Sequence, residues 1–334
     1  MLKERFGTLP TGEAVDVYTL QSGEATLRVM TRGATIVNFR VGDTDIVGGF
    51  DTLGDYLADE SHQGAVIGRV ANRIAGASFP MDGKLYRVTK NEGNNCLHSG
   101  DGFDHRLWTA EKATDDSVTF RYVSPDGEEG FPHTLDVRVT YRLEGAALLI
   151  DYTAVPDGRT PIALTNHAYF NLDGFGGTVD DHVVTIYADR YTEVNDELIP
   201  TGNHPSVDGT VFDFRMPHRI GERVGGGFVG YDHNYVLNKD RKYAVMGYEL
   251  ALAAEVTNGK RKMSVYTNQD GVQFYIGNFL AGKPDFRGGV PRVTHGAFCL
   301  ETQSEPDCVH RGAGFYARGE VYRHMTVYRV ETLR

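Results

Sequence analysis

Between residues 135 and 143 the chain alternates without exception. Leu135, Val137, Val139, Tyr141 and Leu143 are apolar, and Asp136, Arg138, Thr140 and Arg142 are polar. A period of two sends successive side chains to opposite sides of an extended strand, so this segment predicts a strand with one face in a core and one toward water. Val118, Phe120 and Tyr122 repeat the pattern, and residues 124–132 between the two runs (SPDGEEGFP) are turn chemistry.

The rest of the chain follows suit. Residues 148–152, 183–187, 250–256, 263–267 and 272–276 are strand-like, residues 26–41 suggest two strands around Arg32-Gly33, and residues 84–89 follow the Met81-Asp82-Gly83 turn. The 40 glycines are scattered without a period, as expected of many turns between short strands. The one helix candidate is Leu53–Ala58, with Asp51 or Thr52 as its cap. Many short strands and few helices predict an all-β fold, a sandwich or barrel. With no linker-like composition and no fixed repeat, residues 1–334 are expected to form one continuous β domain.

Charge narrows the partners. Forty-five acidic against 34 basic residues give −11, with no basic run, so nucleic acid and anionic membrane surfaces are disfavoured and a neutral ligand is suited. The three cysteines, Cys96, Cys299 and Cys308, are odd in number and form no C-x-x-C pair, which argues against a disulfide framework and a structural zinc site. The first residues hold no apolar signal core, and residues 146–150 are too short to span a bilayer. A cytoplasmic protein is expected.

Two apparent motifs carry little. Gly225, Gly227 and Gly230 make a formal G-x-G-x-x-G, but the residues after it are strand-like where a dinucleotide fold needs a helix. Twelve histidines invite a metal, yet there is no H-x-H and no H-E-x-x-H, and only histidines distant in sequence could converge on one. More informative are five segments that place polar groups among strands. Asn72 and Arg73 interrupt an apolar stretch, and His98 follows a Gly-Asn-Asn-Cys turn. His167 lies in an apolar and aromatic run, Asp232 opens YDHNYVL after its tyrosine, Gln273 lies in a strand-like run, and Glu301 interrupts an apparently buried strand. A lone histidine is commonly a satisfied core residue. A buried carboxylate is harder to set aside, because without a partner it costs several kcal/mol. Arg73 could be its ion-pair partner, or these groups could line one polar cleft.

Six motifs in order, GRVANRI, NNCLHSG, LTNHAYFNL, YDHNYVL, VQFYIGNFL and CLETQ, resemble those of the aldose 1-epimerase family, the galactose mutarotases. The resemblance runs from about Gly68 to Gln303 and implies a large antiparallel β-sandwich with few short helices and a sugar cleft. It also implies an isomerase that interconverts the α and β anomers of free aldohexoses such as glucose and galactose, with no cofactor and no metal. Matched position by position, it gives Glu301 as catalytic base and His167 as catalytic acid. Asn72, Arg73, His98, Asp232 and Gln273 become sugar-binding residues, and Tyr169 or Phe279 is available to pack on a sugar face. The expected partner is a small free sugar, and the expected assembly a monomer or homodimer. A hexose 6-phosphate epimerase would want clustered cations, and a non-catalytic sugar-binding module would tolerate loss of Glu301 or His167.

Overall fold

A computed structural model describes residues 2–333. The alternating segment is the strand Leu135–Glu144, whose burial alternates residue by residue. Ser117–Ser124 and Ala147–Pro156 flank it in unbroken antiparallel register. The strand Tyr322–Thr332 then pairs with Ala147–Pro156 on one edge and with Arg261–Thr267 on the other. In this way the last strand joins early and late parts of the chain in one ten-stranded sheet, which continues through Tyr248–Thr257 to Val183–Ile186.

A second sheet of five strands, from Leu2–Thr8 to Thr44–Asp45, packs on the first. Leu20, Leu27, Val29 and Phe39 share one core with Phe120, Val137 and Tyr152. Tyr18 meets Phe120 edge to face at 5.6 Å, and Tyr141, though fully buried, donates its hydroxyl proton to the Ala34 carbonyl at 2.6 Å. The outcome is the expected all-β sandwich. Leu53–Ala58 is the only α-helix among the described residues, and Thr52 caps it by accepting from the Asp55 amide. Three strands end earlier than expected, at Ile186, Arg87 and Tyr275. Gly225 and Phe228 exchange backbone hydrogen bonds in a tight turn, and the chain then enters the strand Asp232–Val236, so no dinucleotide helix follows the glycines.

The third sheet carries the polar residues. Its order is Arg190–Tyr191, Asp232–Val236, Gly271–Tyr275, Cys299–Gln303. Tyr235, Val272, Phe274 and Leu300 turn one way into the main core. By strand alternation Asp232, Gln273 and Glu301 turn the other way, and Gln273 stands opposite Glu301 in the register.

His167 is not in a strand. Thr165–Asn166 pairs with Val66–Ile67, and the chain leaves the pairing at His167. Its backbone is instead held by residues 64 and 65, the His167 amide donating to Ala65 and the Gly64 amide donating to the His167 carbonyl, both at 2.9 Å. Gly64 has φ +72°, and a Cβ there would lie 2.3 Å from the Ile36 carbonyl oxygen. Gly64→Ala should therefore destabilise the protein by about 2–3 kcal/mol in denaturant unfolding. Gly83→Ala, at a similar φ of +75° but with nothing within 4 Å, should cost only about 1–2 kcal/mol. Equal losses would show that the contact to Ile36 does not matter.

Candidate active site

The polar face of the third sheet forms one wall of a cavity of about 540 Å³, a size usual for small-ligand sites. Loops supply the other walls. Asn72, Arg73, His98, His167, Asp232, Gln273 and Glu301 all line it, although 229 positions separate the first from the last.

Each side chain has a local reason for its orientation. Glu301 is 3% exposed; its Oε1 lies 3.7 Å from His167 Nε2, and its Oε2 has no hydrogen-bond partner among the described residues. Gln273 donates to Asp232 Oδ1 at 2.7 Å and accepts from Gln303 at 3.4 Å, so its amide is engaged at both ends and aims the aspartate. Arg73 does not pair with Glu301. It makes a two-pronged bond to Glu92, with both contacts at 2.7 Å, which leaves Nη1 without a partner among the described residues. Asn72 and His98 both adopt left-handed backbone, at φ 60° and 52°. That conformation is uncommon for residues with a Cβ and clusters at functional sites. It allows the Asn72 amide to donate to His98 Nδ1 at 3.2 Å.

That bond sets a tautomer. Burial, reinforced by the neighbouring His62 and His167, holds His98 well below the ordinary histidine range, so it is neutral. With Nδ1 accepting, its proton sits on Nε2 as a donor. The same fact bears on metal binding. His98, His167 and Glu301 each offer a ligand atom within 4.8 Å of the others, and all three are buried, so distant histidines have converged after all. A cation on His98 Nε2 would have to displace the proton that the Asn72 contact puts there, so the donor set fits proton transfer better than metal coordination.

Glu301 and His167 are both pushed toward their neutral forms. Burial raises Glu301 well above the carboxylate range, and the charge of Asp232 adds to the rise. Burial lowers His167 to about 3, helped by the charge of His62. Between those limits the pair holds one proton, favouring glutamic acid beside a neutral imidazole while the cavity is empty. Cys299 lies 3.7 Å from His167 Nδ1, and its thiol is kept protonated by burial and by Glu301, so it supports the ring and is not a nucleophile. Tyr169 also backs this ring, at 5.0 Å between centroids. Being 3% exposed, it presents little face to a ligand, whereas Phe279 is 80% exposed at the cavity's edge.

Several cavity residues escape sequence reasoning, among them Glu92, Lys283, Arg292 and His62. His62 has no motif around it, and its partner Asp104 is 42 residues away, so only the fold reveals the 2.7 Å contact between Nδ1 and the carboxylate.

The family model described as aldose 1-epimerase matches residues 16–329. The chain belongs to the aldose 1-epimerase family. Among its curated relatives, galactose mutarotase of Bos taurus is 43% identical, covering 97% of this chain and 96% of the relative. Aldose 1-epimerase of Escherichia coli is 34% identical over 98% and 99%. A solved aldose epimerase homologue from C. elegans superposes with a TM-score of 0.87 at 27% identity, covering 96% of this chain and all of that one. The sandwich is thus an aldose 1-epimerase fold.

The proton count of the aldose 1-epimerase site has a consequence for pH. If the singly protonated pair is the working form, kcat/KM falls as pH drops through the lowered His167 value and as pH rises through the raised Glu301 value. Asp232→Asn removes a negative neighbour and should move the alkaline limb to lower pH. A profile with an acid limb in the ordinary carboxylate range and no alkaline limb would contradict the one-proton pair.

Proposed function

We propose that the protein is a mutarotase, converting the α and β anomers of a free aldohexose such as glucose or galactose. The observation that carries this is the contact of a buried carboxylate and a buried imidazole, 3.7 Å apart, facing a cavity with hydroxyl-binding groups on its walls.

An anomer changes hand only through the open chain. Glu301 takes the proton of the C1 hydroxyl while His167 Nε2 gives one to the ring oxygen, and the bond from C1 to the ring oxygen breaks to leave an aldehyde. Rotation about C1–C2 turns the other face inward. The former ring oxygen then attacks C1, returning its proton to His167 as Glu301 reprotonates the carbonyl oxygen. No covalent intermediate forms and the enzyme ends with the proton count it began with. Arrival of the sugar shifts the shared proton from Glu301 to His167, because a hydroxyl can satisfy the unpartnered Glu301 Oε2 and so favour the carboxylate. His98 Nε2–H, Arg73 Nη1 and the free amide of Asn72 are donors to sugar oxygens, and Asp232 accepts from hydroxyls. Phe279 offers an apolar surface at the entrance.

The charges on the walls favour a neutral sugar over a phosphorylated one. Arg73 is paired with Glu92, Arg292 with Asp59, and Lys283 with Asp285, so each cation lining the cavity already has a carboxylate partner. A phosphate would have to compete for all three. A cytoplasmic location fits the three free, buried thiols, and no helix among the described residues is long and apolar enough to cross a membrane.

The direct test is polarimetry on fresh α-glucose and α-galactose, where the protein should speed the drift to equilibrium with or without chelator. A rate equal to buffer for every aldose tried, or activity abolished by chelation, refutes the reading. Glu301→Gln should lower kcat by about 10²–10⁴-fold, because an amide cannot take the proton. Its Tm should not fall, since the replacement no longer has to bury an ionisable group. Asp232→Ala should mainly raise KM. Near-normal kcat in Glu301→Gln would take the base assignment away from Glu301.

A further inference from the structure

His62 is poised in the cavity without a role in proton transfer. Its Nδ1 contacts Asp104 Oδ2 at 2.7 Å, and Asp104 is 3% exposed and also held by His105 Nε2 at 3.2 Å. The carboxylate can only accept, so the proton between them belongs to His62 Nδ1. Nε2 on the opposite edge of the ring then has no protein hydrogen bond among the described residues, and the residue lines the cavity. The ring is fixed on that wall by edge-to-face contact with His98 at 4.7 Å and lies 6.0 Å from His167. Its backbone is left-handed, φ 55°, like Asn72 and His98 beside it.

Apart from the exposed Glu60, the neighbouring polar groups on that wall are spent on one another. Ser61 donates to Asp59 at 2.8 Å, and Arg292 donates to the same carboxylate at 2.7 Å. Besides the exposed carboxylate of Glu60, His62 Nε2 is thus the open polar atom of this stretch, and its ring is the one held in place by a buried partner. We propose that His62, oriented by Asp104, is a sugar-binding residue whose Nε2 hydrogen-bonds one hydroxyl other than the anomeric one, so that the pair helps to choose among aldoses. The proposal rests on the mutarotase reading for its ligand class, a pyranose.

The experiment is a cycle of variants against monodeoxy sugars. His62→Phe keeps a ring against His98 but removes Nε2. It should raise the KM of the intact sugar about tenfold while kcat stays within about twofold, the size expected for one lost hydrogen bond to a bound hydroxyl. One monodeoxy analogue, the one lacking the partner hydroxyl, should show the same KM with wild type and variant. His62→Gln, whose amide can reach the position of Nε2, should recover part of the loss. Asp104→Asn should change the tautomer of His62, read from its ¹⁵N imidazole shifts, and weaken binding of the same hydroxyl. An equal penalty for every analogue, or a fall in kcat at unchanged KM, overturns the contact and leaves His62 as a prop for His98. The same cycle on Kd, by titration calorimetry, separates the two ideas: a wild type that binds sugars with the His62 pattern but never turns them over refutes the mutarotase reading alone.

Discussion

Three short strands held in antiparallel register make this site possible. Asp232–Val236, Gly271–Tyr275 and Cys299–Gln303 send Tyr235, Val272, Phe274 and Leu300 into the sandwich core and, by the same alternation, turn Asp232, Gln273 and Glu301 toward the cavity. A one-residue slip of Cys299–Gln303 would turn Leu300 into the cavity and drive Glu301 into hydrocarbon. The apolar face therefore fixes the register, and the register fixes the carboxylate. Stability and chemistry are set by the same pairing.

The carboxylate so placed is out of equilibrium with its ordinary surroundings. Glu301 is almost wholly buried, one of its oxygens has no partner among the described residues, and Arg73, the cation that could have neutralised it, is bound to Glu92. A protein selected only for stability would not keep such a group. On the proposed mechanism its cost is also its use: denied a fixed counter-ion, Glu301 would be free to exchange a proton with a sugar hydroxyl, and His167 at 3.7 Å would complete the exchange. The left-handed residues His62, Asn72 and His98 are a further local expense, concentrated on the walls facing this pair.

Much of this was legible in the sequence, and the part that was not has a physical cause. Strict alternation declares the strands Leu135–Glu144 and Ser117–Ser124, because one-sided burial leaves a period of two in the residues themselves. Glu301 declares itself as a charge in an apolar strand. His167 is visible as a residue but not as a geometry: the run around it looks like a strand, yet its backbone bonds go to Gly64 and Ala65, over 100 positions away. The partner of Arg73 was open between Glu301 and others, since ion pairs depend on which loops meet. His62 and Asp104 carry no local pattern at all, and their contact exists only through the fold. The neutral Nε2–H form of His98 likewise depends on a backbone amide that no composition reveals.

The central claim is that Glu301 and His167 share a single proton, with the carboxyl held well above its ordinary range until a sugar arrives. It is tested most directly by titrating ¹³C-labelled glutamate carboxyls by NMR, with Glu301 assigned by its loss in Glu301→Gln. The account predicts a Glu301 midpoint above the ordinary carboxylate range in the empty protein, falling on saturation with sugar. A midpoint in the ordinary range, unmoved by sugar, would contradict it.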